Sequence, residues 1–136
     1  MATLTPTLTL HSSDLSSEVL SLSVSDSLSI TAPSMGISTL STVVNFGDGA
    51  GVLIPEEDTT INYVYIKHTG FAASDGTTAS TNLVTISPDT DATGSMKIVL
   101  GTGEFAFFPL IGSEGLKVTH ATAAVMIEFA YWSKGA

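Results

Sequence analysis

The chain has 136 residues, of which only 12% are charged, and its net charge of -9 comes from 13 acids against four lysines. With no arginine it has no clustered basic surface for a phosphate backbone, so nucleic acid and anionic membrane are excluded as expected partners. No cysteine is present, which closes disulfides, thiolate metal sites and thiol catalysis.

A hydrophobic fraction of 43% argues against disorder, and the length suits one domain that hides its own core. No apolar run approaches the ~18–20 residues that span a bilayer. The opening Met1–Pro6 lacks the basic-then-apolar order of a secretory signal. Mean hydropathy is +0.39 and the polar positions are mostly Ser and Thr. A dispersed monomer needs more charge than this, so part of the surface is expected to lie under other subunits.

In chain order, Thr3 to Leu10 alternates. Leu4, Leu8 and Leu10 share one face with Pro6, and threonines fill the other. Such alternation signals a half-buried strand, and the proline confines it to a sheet edge or an arm. His11–Asp14 follows as a turn. Asp14 or Ser13 could cap a short helix, but Leu20, Leu22 and Val24 alternate with serine, which predicts a strand. A turn at Ser25–Ser27, a second strand over Leu28–Thr31 and a break at Pro33–Gly36 come next.

Ile37–Asn45 reads as a strand, Gly47–Gly51 as a turn and Pro55–Asp58 as an acidic loop. Ile61–His68, rich in aromatic and β-branched residues, is the best strand of the first half. Thr69-Gly70 is expected to end it, and Ala72–Thr81 to form a long mobile loop. Asn82–Ile86 is a strand, closed by Ser87–Gly94.

The segment from Met96 to Trp132 is expected to organise the core. It holds the runs Met96–Leu100, Glu104–Leu110, Leu116–Thr119 and Val125–Trp132. Three of the chain's six phenylalanines lie between Phe105 and Phe108, and the single tryptophan ends the last run. Aromatic side chains bury about 150–250 Å² each, which places the core where these rings meet. Val125, Ile127, Phe129 and Tyr131 share a face of the last strand. Its other face is also largely apolar, so that strand should be central or covered. Nine or ten short strands with frequent turn signals predict an all-β antiparallel sandwich, jelly-roll-like, with residues 1–12 as an N-terminal arm or edge strand and 13–136 as the domain.

Chemistry is sparse. No Gly-x-Ser-x-Gly occurs, and His11, His68 and His120 follow no triad or paired-ligand spacing. Asp89-Thr90-Asp91-Ala92-Thr93-Gly94 copies the first half of a calcium loop, but Leu100 stands where a bidentate glutamate belongs, so a plain connection is the simpler reading. Glu56, Glu57 and Asp58 are neighbours in one loop and cannot flank a sugar as a catalytic pair. Glu104 and Glu128 sit among apolar residues, and Glu128 is expected to meet Lys97 or Lys117 in a sheet, or to lie at an edge. Gly101-Thr102-Gly103 lacks the lysine and helix of a phosphate loop and reads as a hairpin turn. No catalytic residue, metal site or cofactor is expected.

Gly103–Leu110, the Gly115-Leu116-Lys117-Val118 step and the ending Glu128–Trp132, preceded by Tyr63–Gly70, resemble small virion structural proteins of tailed bacteriophages. The likeness covers about residues 60 to 132. It implies a non-enzymatic protein of the virion, most specifically a capsid decoration or cement protein made in the host cytoplasm. The expected partners are then the major capsid protein and sister copies, as a trimer. Leu4, Pro6, Leu8 and Leu10 are the expected contact residues. The alternative is a tail or fibre β-sandwich module that binds host-surface glycan, with Trp132 as its aromatic platform.

Overall fold

The computed structural model describes residues 2–14, 19–30, 38–40, 52–54, 61–88, 98–110, 114–120 and 122–133. The described residues are all-β. They form β1 (Ala2–Leu4), β2 (Thr7–Ser12), β3 (Leu20–Ser25), β4 (Leu28–Ile30), β5 (Ser38–Leu40) and β6 (Val52–Ile54). The series continues with β7 (Ile61–Ala72), β8 (Val84–Ser87), β9 (Ile98–Leu100), β10 (Phe105–Pro109), β11 (Leu116–His120) and β12 (Val125–Ser133). Among the described residues every strand pairing is antiparallel. The stretches 33–36, 47–51, 55–58 and 89–97, where a break, a turn, an acidic loop and a calcium-like connection are expected, lie outside the described residues.

Two four-stranded sheets carry the body, in the orders β10-β7-β12-β5 and β6-β11-β8-β9. The terminal strand β12 is central, between β7 and β5, which answers why both of its faces are largely apolar. One cluster of buried side chains draws on both sheets. Val64, Ile66, Ile127 and Phe129 come from one, and Ile54, Val84, Ile86, Leu100 and Val118 from the other.

Phe129 apart, this buried cluster is aliphatic, and of the Phe105–Phe108 rings expected to make the core only Phe108 packs against it. Strand alternation divides them. Ala106 and Phe108 turn inward against the cluster, while Phe105 and Phe107 turn outward and are 60% and 38% exposed.

The N-terminal residues form a separate two-stranded ribbon. Ala2 pairs with Ile30, Leu4 with Leu28, Leu8 with Val24, Leu10 with Leu22 and Ser12 with Leu20. The register is unchanged throughout, so Ser25–Ser27 is not a turn. The ladder only loosens there because Pro6 has no N–H to give, and Asp26 N–H still donates to the Pro6 carbonyl at 3.1 Å. The boundary expected after residue 12 therefore falls between two strands paired with each other.

Two more local expectations fail. β7 runs on to Ala72 through Gly70, whose φ of 88° lies in the left-handed region open to glycine. Gly101–Gly103 is no hairpin, because β9 pairs with β8 in one sheet and β10 with β7 in the other. The turn carries the chain across. Gly101 N–H donates to Glu104 Oε2 at 2.6 Å, Glu104 N–H to the Gly101 carbonyl at 3.0 Å, and Gly103 has φ 79°.

Candidate functional site: an apolar ribbon and an aromatic strip

In an antiparallel ribbon, directly opposed residues share a face. One face of this ribbon is therefore Leu4, Leu8, Leu10, Leu20, Leu22, Val24 and Leu28, broken by Pro6 with Asp26 and ended by Ser12, and the other is serine and threonine with His11. The foot rests on the body: Leu4 and Leu28 are half-buried and Ile30 is buried. The apolar face of the outer half is largely exposed. Leu8, Leu10, Leu20, Leu22 and Val24 are 41–54% exposed, against the half-buried strand expected from the alternation.

Of the expected contact residues, Leu4, Pro6 and Leu8 line a groove of about 990 Å³ at the ribbon's foot, and Leu10 lies further out on the same face. Across the groove stands an aromatic strip on the outer face of the β10-β7-β12 sheet. Tyr63 and Phe107 stack with ring centres 6.4 Å apart, and Trp132 tilts against Phe107 at 6.4 Å. The strands deliver these rings to one face because Phe107 is opposite Tyr65, Pro109 opposite Tyr63, and Tyr63 opposite Trp132. Among the described residues, Asp26 is the one carboxylate or amine in the groove's lining.

At the strip's edge Tyr65 donates its hydroxyl to Glu128 at 2.8 Å. Lys97 is outside the described residues, and Lys67 is the residue directly opposite Glu128. Burial, then the hydrogen bond to Glu128 and its charge, push the Tyr65 phenol from 10.0 up to about 12. The folded chain thus holds this proton more tightly than the unfolded one. That contribution is complete below pH 10 and is lost as pH rises toward 12. Urea midpoints measured from neutral pH to pH 12 should fall less steeply above pH 10 in Tyr65→Phe than in the parent chain.

The three histidines are dispersed in role. His11 is exposed on the ribbon's polar face. His120 is half-buried at the end of β11, and its Nδ1 is buried without a hydrogen-bond partner among the described residues. His68 is fully buried and fixed at both nitrogens. Its Nε2–H donates to the Asn82 carbonyl at 2.8 Å, and its Nδ1 accepts from Gly70 N–H at 2.9 Å. That pair of contacts selects one neutral tautomer and ties β7 to the loop before β8.

The loop expected to be mobile is held by hydrogen bonds. Asp75 accepts from Thr77 N–H at 2.9 Å and Thr78 N–H at 2.8 Å. The Thr78 hydroxyl bond leads these in drawing the Asp75 carboxyl down to about 2. Among the described residues no three His, Cys, Asp or Glu side chains gather to hold a metal ion. No helix among them is long and apolar enough to cross a membrane.

The ribbon's apolar continuity was missed in the sequence because its two strands lie on either side of residues 13–19. The signal was there: Leu4–Leu10 and Leu20–Val24 carry the same alternation at matching spacing. Set against known protein families, curated proteins and solved structures, the chain finds no match in any of the three.

Proposed function

We propose that this chain is a non-catalytic structural protein, a β-sandwich subunit that works by being packed into a larger assembly. The single observation that carries this reading is the outer ribbon: five aliphatic side chains of one face, 41–54% exposed, on a chain with only four lysines. Isolated two-stranded ribbons are marginal in water and gain stability when their apolar face is covered. Exposed apolar patches of this kind mark association surfaces.

The body's topology supports a jelly roll in particular. Counting β5 to β12 as strands one to eight, the first pairs with the last, the second with the seventh, the third with the sixth and the fourth with the fifth. That is one long hairpin rolled into two facing sheets. By fold-level analogy alone, jelly rolls serve capsid and lectin roles.

The narrower reading follows the resemblance to tailed-phage virion proteins: a capsid decoration or cement protein that holds the major capsid protein through many weak contacts. Gel densitometry of purified particles that carry the chain tests it. Copies in the hundreds are expected for a shell component. About a dozen or fewer would contradict it and indicate a tail or portal part.

The aromatic strip favours one alternative, a tail or fibre module for host-surface glycan. A glycan screen in which Trp132→Ala abolishes a measured binding signal would move the proposal there.

A further inference from the structure

We propose that the groove between the ribbon's foot and the aromatic strip is a binding site for a quaternary ammonium group. This is independent of the assembly role and starts from one residue that breaks a pattern.

Asp26 stands between Val24 and Leu28, on the face where Leu4, Pro6 and Leu8 also line the groove. Its local bond does not call for a charge. Asp26 Oδ1 accepts from Ser27 N–H at 2.7 Å, which an asparagine oxygen does as well. The carboxylate is therefore an acid set into an apolar wall. Among the described residues no lysine or histidine lines the groove to answer it. A chain of net charge -9 draws cations toward such a cleft.

The strip supplies the other half of cation recognition. Tyr63 and Phe107 lie parallel to within 2°, and Trp132 is inclined 55° to Phe107, so the wall presents ring faces in two directions. Cations are drawn to the face of such rings, and to tryptophan most strongly. All three rings share the groove with Asp26, and its volume of about 990 Å³ is that of a small-ligand site.

The same lining selects the kind of cation. A primary ammonium brings three N–H donors, each of which needs an acceptor. A methylated ammonium has none to satisfy, and its methyl groups pack on ring faces. For a sugar inside the groove the side-chain donors are few. Only the hydroxyls of Thr7, Tyr63 and Tyr65 donate, and that of Tyr65 is spent on Glu128.

Trp132 is the chain's single tryptophan and lines the groove, so its fluorescence reports occupancy. On the full chain, choline should change the emission saturably below about 10 mM. Two analogues isolate the cause. The neutral alcohol in which a tert-butyl group replaces the trimethylammonium keeps the shape, and ethanolamine keeps the charge without the methyl groups. Each should bind at least about threefold more weakly than choline. Asp26→Asn, which retains the Ser27 contact, should weaken choline about threefold, and so should Phe107→Ala, which leaves the reporter in place. Asp14→Asn, at an exposed acid outside the groove's lining, should change nothing. Circular dichroism should report the same β content in all of them. No saturable change, equal binding of either analogue, unaltered affinity in Asp26→Asn or Phe107→Ala, or an equal loss in Asp14→Asn overturns the site.

Discussion

Replacing His68 with phenylalanine is expected to lower the unfolding free energy by about 3 kcal/mol, read as a shift of the urea midpoint at unchanged slope. Phenylalanine keeps a flat ring but is somewhat larger, so a little overpacking adds to the main loss, which comes from two polar groups. The Asn82 carbonyl and the Gly70 N–H would both lose their partner at a site with no exposure. An unsatisfied buried group costs about 1–3 kcal/mol.

The effect should stand out against His11→Phe, an exposed position where substitutions usually fall within about 0.5 kcal/mol. Equal midpoints for the two variants would show that His68 does not pin β7 to the 80–82 segment.

A second large effect separates the core from the surface. Ile127→Ala should cost about 3 kcal/mol, within the usual range of about 2–5 for a buried isoleucine cut to alanine. Ile127 is 1% exposed and belongs to the cluster drawn from both four-stranded sheets. Phe105→Ala removes a larger side chain, yet from a site 60% exposed, and should cost less than about 1 kcal/mol. The reverse order would mean that the rings, and not the aliphatic cluster, hold the body together.

Much of the strand pattern was legible because period-two alternation needs no knowledge of partners. The central place of β12 was also readable, since its faces carry Ile127 and Phe129 on one side and Met126, Ala130 and Trp132 on the other. Burial was not readable. Alternation tells which side chains share a face but not whether anything lies against it, so Leu8 and Leu10 looked half-buried and are exposed.

The cluster Phe105–Phe108 misled for a related reason. Three rings in four residues suggest a core, but a strand must send Phe105 and Phe107 away from Phe108. Long-range pairings were beyond local pattern as well. Nothing near Gly101–Gly103 says that β9 and β10 belong to different sheets, and nothing near His68 points to the Asn82 carbonyl. The candidate site combines these blind spots, because its ribbon needs two separated strands and its strip needs side chains from β7, β10 and β12.

Amide hydrogen exchange along β2 and β3, compared between the free chain and purified particles that carry it, tests most directly whether the ribbon is built to be covered. A two-stranded ribbon with one face bare opens readily, so its amides are only weakly protected in dilute solution. Protection of Leu8–Leu10 and Leu20–Val24 should climb in the particle, while the central strands β7 and β12 exchange equally slowly in both states. Ribbon amides that exchange at one fast rate both free and in the particle would contradict the account.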